Sequence, residues 1–251
     1  MKREDYLHAG ERLDDLQLHN YFIIQNPEKF CFGMDAVLLS HFASVPKNSL
    51  VLDLGTGTGI LPILLAAKTE ARHLDALEIQ EESVDMAKRS VELNGLKDRI
   101  RIVTGDIKEA SSLFEKGTYD VIVCNPPYME NNHGLKNPEL PKAIARHEIL
   151  CKLEDILREA SLLLKPKKSL FMVHRPHRLV EIFDKMRQSG LEPKRMCMVH
   201  PYLDKEPNMV LLEAVKDGNP MLKTDPPLVV YEAPGKYTEA LLKFYGENPP
   251  H

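Results

Sequence analysis

Long apolar runs are missing from this chain. Nowhere do eighteen apolar residues follow one another, which excludes an ordinary membrane-spanning helix. The opening Met1-Lys-Arg-Glu-Asp-Tyr6 leads into polar sequence instead of the apolar core of an export signal, so the expected location is the cytoplasm. Cysteine is sparse. Cys31, Cys124, Cys151 and Cys197 are scattered without metal-ligand pair spacing, and they read as reduced, mostly buried thiols. His174 and His177 lack the i,i+4 spacing and adjacent Glu of H-E-x-x-H, and Pro176 would interrupt the helix, so no metal is expected. No serine stands within G-x-S-x-G and no cysteine is placed with a plausible histidine for covalent catalysis. Internal repeats and low-complexity tracts are absent too.

What is present is the composition of a soluble globular protein, 43% hydrophobic and 28% charged over 251 residues. That length suits one large core or a core with an appendage. A formal net charge of −4 argues mildly against binding nucleic acid by charge alone. The distribution is uneven, however: residues 165–205 hold ten Lys or Arg against four Asp or Glu, a local +6, and the rest carries −10. That segment is the candidate phosphate-facing surface, with a solvated exterior as the alternative.

The most informative stretch is Leu50-Val-Leu-Asp-Leu-Gly-Thr-Gly-Thr-Gly-Ile60. An apolar strand runs into glycines at alternate positions, Gly55, Gly57 and Gly59, and a helix-compatible apolar run follows. A dinucleotide fingerprint needs G-x-G-x-x-G. Here Ile60 and Pro62 occupy the two places where the third glycine would fall. Asp53 at the strand end would repel a pyrophosphate. It suits a cationic or amino-bearing group, or it fixes the turn through backbone N–H groups. The stretch resembles the S-adenosylmethionine site of the Rossmann-like methyltransferases.

Around it the pattern alternates. Leu13 to Leu18 and Tyr21 to Gln25 read as a short hairpin, and Met34 to Phe42 as a helix with Asp35 in its first turn. Strands are expected at Leu50 to Leu54, His73 to Glu78, Arg99 to Thr104, Tyr119 to Cys124 and Ser169 to His174. Helices are expected at Ile60 to Ala67, Glu81 to Asn94, Ile149 to Leu164 and His177 to Ser189. This is an α/β chain with a mostly parallel sheet covered on both faces. Lys194 to Val199 and Asn208 to Val215 are separated by too little chain for a crossover helix, so they should pair antiparallel. Such a hairpin at the sheet edge resembles the seven-stranded, Rossmann-like methyltransferase sheet. A single methyltransferase domain is expected over 1–251. Within it, 1–45 would be a hairpin and helix at the cofactor and substrate side, and 226–251 a C-terminal helical extension running from Pro234 onward.

In open α/β sheets ligands bind at the carboxyl ends of the strands, and polar or turn-forming signals recur there. Glu78 lies 19 residues beyond Gly59 at the end of the next strand, where a carboxylate accepts from ribose hydroxyls. Asp106 is placed to accept from an adenine amino group, with Ile79 or Ile107 as apolar cover; a helix cap is its competing role. Asn125-Pro-Pro-Tyr128 separates a methyltransferase from a dehydrogenase. The lone pair of an aromatic amine or carboxamide nitrogen is delocalised. An Asn125 oxygen and a Pro126 carbonyl accepting its N–H groups would stabilise positive charge as it develops. Prolines hold the loop in one geometry, and Tyr128 offers a face for a planar substrate.

With Phe30-Cys-Phe-Gly-Met-Asp-Ala-Val-Leu-Leu39, Ala145-Arg-His-Glu148 and His200-Pro ahead of Glu213-Ala-Val-Lys216, the chain resembles the bacterial tRNA1(Val) adenine-37 N6-methyltransferases. The resemblance covers roughly residues 20–215. It implies S-adenosylmethionine as cofactor, held by Asp53, Gly55, Gly57, Glu78, Ile79, Asp106 and Ile107, with Met34 and Asp35 closing over its methionine end. It assigns the target adenine to Asn125, Pro126 and Tyr128, and the anticodon loop of tRNA as partner. A monomer is expected, with a homodimer as the alternative. Met129 to Arg146 reads as a substrate-facing lid, with Arg146 and His147 near phosphate. The competing functions are a release-factor-type glutamine N5-methyltransferase and a non-catalytic RNA-binding protein.

Overall fold

The computed structural model describes residues 2–29, 31–126 and 151–245. Pro127, Tyr128, the expected lid and Phe30 therefore lie outside the described residues.

A hairpin comes first, β1 (Arg12–Asp15) paired antiparallel with β2 (Phe22–Gln25), and then helix α1 (Met34–Phe42). The alternating series is β3 (Leu50–Leu54), α2 (Ile60–Lys68), β4 (His73–Glu78), α3 (Glu81–Leu93), β5 (Ile100–Thr104), α4 (Ala110–Leu113) and β6 (Tyr119–Cys124). After the gap come α5 (Leu153–Leu163), β7 (Leu164–His174), α6 (Leu179–Gln188), β8 (Leu191–His200) and β9 (Met209–Lys216). Four short strands, β10 (Lys223–Thr224), β11 (Leu228–Val229), β12 (Tyr231–Ala233) and β13 (Lys236–Tyr237), precede helix α7 (Glu239–Leu242). No helix among the described residues is long and apolar enough to cross a membrane.

The main sheet runs β5-β4-β3-β6-β7-β9-β8. Strand β9 pairs antiparallel with both neighbours, and the other pairs are parallel. This is the expected Rossmann-like seven-stranded sheet with its antiparallel hairpin, widened by β10 and β11, which both pair with β8 in parallel. Strands buried on both faces read as continuous apolar runs. Val51, Val121 and Val173 face a core shared with α1, α2 and α3. Leu52, Leu54 and Ile122 face the opposite core under α4, α5 and α6.

Two expectations are corrected. Strand β7 begins at Leu164, five residues before Ser169. Its pairing with β6 shifts between Tyr119↔Leu164 and Val121↔Ser169, so Lys165 to Lys168 form a bulge that strand periodicity hides. The closing helix is only four residues long. Pro234-Gly235 makes the turn between β12 and β13, with Gly235 at φ 75°. Helix α7 starts only after Thr238, whose hydroxyl accepts from Leu241 N–H and donates to the Val229 carbonyl at 2.6 Å. The helical spacing of Ala240 to Phe244 does not extend back through 231–237, which form a hairpin.

Candidate functional site

Four adjacent parallel strands deliver the expected residues to one end of the sheet. In register, Asp53 sits beside Ala76 and Val123, and Glu78 beside Thr104. The turn after β3 is built from backbone bonds. Gly55 and Thr56 donate to the Leu77 carbonyl at 2.9 and 3.0 Å, and Gly59 donates to Thr56 at 3.0 Å. Gly55, Gly57 and Gly59 have φ of 80°, 56° and 90°, a region that costs residues with a Cβ about 1–2 kcal/mol. A Cβ on Gly57 would meet nothing within 4 Å. The loop is thus open on that side.

Glu78, and not Asp53, ties this turn down. Its carboxylate accepts from Gly57 N–H at 2.9 Å and from Ile79 and Gln80 N–H at 3.0 and 2.9 Å. Asp53 is only 1% exposed, and neither of its oxygens nor the Thr56 hydroxyl has a hydrogen-bond partner among the described residues. Burial pushes the Asp53 carboxyl up to about 7; the nearby Thr56 hydroxyl opposes that rise and the Glu78 charge adds to it. Of the two roles open to Asp53 in the sequence, fixing the turn is therefore not the one it performs. An orphaned buried carboxylate beside an open glycine cradle fits a ligand that brings positive charge.

Ile79 is 41% exposed immediately after Glu78. Ile107 lies against the glycine turn, its Cδ1 3.5 Å from where a Gly55 Cβ would stand. Asp106 caps the short helical turn Ile107–Glu109, its Oδ1 accepting from Lys108 N–H at 2.9 Å, so one oxygen already serves the competing role, while Oδ2 faces the Lys108 Nζ at 3.3 Å. Asn125 and Pro126 follow directly on β6, and the Cys124 thiol reaches the Leu54 carbonyl at 3.1 Å, which seats the Asn-Pro step beside the glycine turn.

Met34 and Asp35 open α1, which follows the N-terminal hairpin. Gln25 joins the segment leading into α1 to the glycine turn; in the sequence it stands only as the last residue of the expected hairpin strand. Its side chain is fully buried, donates to the Thr58 hydroxyl at 2.7 Å and accepts from Phe32 N–H at 3.1 Å. A buried glutamine ending an apolar strand was the available signal.

In the sequence His174 stands out only beside His177, in a pair without zinc-ligand spacing. It is buried in a cleft of about 250 Å³ that also involves Pro126, Leu153, Arg178 and Glu181. Its Nδ1 accepts from Arg175 N–H at 2.8 Å. Burial first, and then the Arg178 charge, push its pKa down to about 4. A neutral imidazole thus flanks the Asn-Pro step.

The basic stretch does not converge. Lys165 and Lys168 meet Asp120 at 3.0 and 3.3 Å, near the amino ends of the strands and away from the glycine turn. Arg195 pairs with Glu213 at 3.1 Å in mid-sheet. Arg175, His177, Arg178 and Lys205 are the members at the carboxyl end. One acidic trio of metal-ligand type occurs among the described residues, His8, Glu11 and Asp85. Arg89 sits between its carboxylates, 2.7 Å from Glu11 and 2.6 Å from Asp85, which supplies the positive charge there.

Comparison with known proteins bears on this geometry. The methyltransferase small domain matches residues 33–189. A tRNA1(Val) (adenine(37)-N6)-methyltransferase from Parabacteroides distasonis is 33% identical over 181 residues, covering 72% of this chain and 75% of that protein. One of the same name from Porphyromonas gingivalis is 31% identical over 219 residues, covering 82% and 83%. Among solved structures, a predicted O-methyltransferase from Agrobacterium tumefaciens superposes with a TM-score of 0.68 at 21% identity, covering 84% of this chain and 95% of that one. Pyrococcus horikoshii TYW2 in complex with MeSAdo gives 0.59 at 15%, covering 84% and 73%. These last two speak for the fold alone. The protein is an S-adenosylmethionine-dependent methyltransferase, and the chain belongs to the family of the tRNA1(Val) (adenine(37)-N6)-methyltransferases.

Proposed function

We propose that this enzyme methylates N6 of an unpaired adenine in tRNA, A37 of the valine anticodon loop. The observation that carries the proposal is the placement of Asn125-Pro126 on the strand next to a glycine turn with an orphaned acid at its base. Asp53, Gly55, Gly57 and Glu78 hold the cofactor, with Ile79 and Ile107 covering its adenine and the second Asp106 oxygen accepting from the amino group. Met34 and Asp35 close its methionine end. When bound, S-adenosylmethionine supplies an electrophilic methyl on a sulfonium.

The chain's own residues then orient the nucleophile. The Asn125 carboxamide oxygen and the Pro126 carbonyl accept the two N6–H bonds, which turns the lone pair toward the methyl and stabilises positive charge on N6 as it grows. Because the bound sulfonium would supply the methyl with a neutral thioether as leaving group, these residues need only hold N6 in line until it becomes cationic, after which its proton would depart to solvent. The target base turns out of its loop at low cost because it is unpaired.

The same Asn-Pro geometry suits a glutamine carboxamide, and the named relatives favour adenine. Asn125→Ala tests the role: calorimetry should show cofactor affinity within about two-fold of wild type, and a tritium-methyl assay on tRNA should show turnover reduced by about 10²-fold or more. An unchanged rate would remove Asn125 from the mechanism. Methyl incorporation into a release factor and not into tRNA would select the glutamine reading.

A further inference from the structure

Three tyrosine rings stand in a row at the edge of the sheet, Tyr231 stacked on Tyr237 and Tyr202 tilted 33° to Tyr231. Tyr202 and Tyr231 have ring centroids 5.5 Å apart, and Tyr231 and Tyr237 are 5.2 Å apart with planes 20° from parallel. Tyr202 follows β8, which is parallel to β3 and β6 through the intervening strands, so the ladder stands at the same end of the sheet as Asp53 and Asn125. Tyr231 is held there by its N–H to the Pro201 carbonyl at 2.9 Å. All three rings are half-buried, and Leu203 beside the first is 85% exposed.

The ladder also leads toward the cofactor turn. Tyr237 lines a cleft of about 220 Å³ with Phe32, Met34, Leu16 and Phe244. The Phe32 N–H is bonded to Gln25, which is bonded to Thr58. From β6 to β8 there are three strand spacings, about 14 Å, a span of roughly four stacked nucleotides at ~3.4 Å each. Charge at the tip is net negative: Lys205 lies between Asp204 and Glu206. Flat apolar faces without an excess of cations suit bases better than phosphates.

We propose that the Tyr202-Tyr231-Tyr237 ladder is a stacking platform for unpaired nucleotides flanking the adenine that is methylated. The proposal rests on the tRNA reading above and adds where the rest of the loop is held. Tyr202 is the ring to alter, because it sits on a turn and not in a strand or helix.

The test measures binding of a labelled valine anticodon stem–loop by fluorescence anisotropy for the wild type, Tyr202→Ala and Tyr202→Phe, with S-adenosylmethionine affinity by calorimetry as a check on folding. The alanine variant should bind the RNA roughly 5- to 100-fold more weakly, the phenylalanine variant within about two-fold, and both should bind cofactor as the wild type does. The loss should be the same at about 50 and 200 mM salt, since stacking releases no counterions. Equal RNA affinity of Tyr202→Ala and wild type, or a loss that disappears at the higher salt, overturns the platform and leaves the methyltransferase reading intact. A wild type that neither binds the stem–loop nor methylates tRNA overturns the tRNA reading and the platform with it.

Discussion

The side-chain amide of Gln25 donates to the hydroxyl of Thr58 across 2.7 Å, joining the N-terminal hairpin to the glycine turn. The pair is buried, and the same glutamine accepts from Phe32 N–H, so one side chain sets the position of the turn relative to the start of α1.

Gln25→Ala leaves the Phe32 amide without this partner and a cavity beside Thr58. We expect about 1–3 kcal/mol of lost stability, read as a lower urea midpoint. The KM for S-adenosylmethionine should rise while that for tRNA stays near wild type. Combining it with Thr58→Val should add less than the sum of the single effects, because both variants break one bond.

Gly59 gives a second test. Alanine there meets both a φ of 90° and a Cβ contact of 3.2 Å with the Ala87 methyl of α3, whereas Gly117, at φ 64°, has nothing within 4 Å of its Cβ. Gly117→Ala should cost about 1 kcal/mol from backbone strain alone. Gly59→Ala should cost about 1 kcal/mol more and weaken cofactor binding, as measured by urea denaturation and calorimetry.

Two buried groups make opposite contributions to pH dependence. Asp53 titrates at about 7 in the fold against 3.8 when free. The native state then binds the extra proton, and this contribution to stability falls as pH rises from about 4 to 7. His174 titrates at about 4 against 6.5. Here the unfolded chain binds the extra proton, and stability rises with pH over the same interval. Thermal melts should show Asp53→Asn gaining on the wild type as pH rises, and the deficit of His174→Asn widening up to about pH 6.5. A cationic ligand group favours ionised Asp53, so wild-type cofactor affinity should weaken below about pH 7, a dependence that Asp53→Asn removes.

Much of this site is readable from local pattern, because strand-end residues are named by the turn that follows them. The spacing from Asp53 through Gly59 to Glu78 fixes which residues meet at one end of a parallel sheet, and the structure brings them together. What the pattern did not carry was who bonds whom. Glu78 holds the turn and Asp53 is left unpaired because of how two side chains point within a shared space, and no periodicity encodes that. Gln25, His174 and the tyrosine ladder are likewise products of long-range packing. Tyr202 and Tyr231 are neighbours because β11 adds to β8, and β11, at two residues, is too short to signal itself.

The most direct test of the central claim is nucleoside mass spectrometry of individual tRNAs from cells with and without this gene. Loss of N6-methyladenosine from valine tRNA alone, at the position 3′ to the anticodon, is the predicted result. An unchanged N6-methyladenosine content in every tRNA species would contradict it.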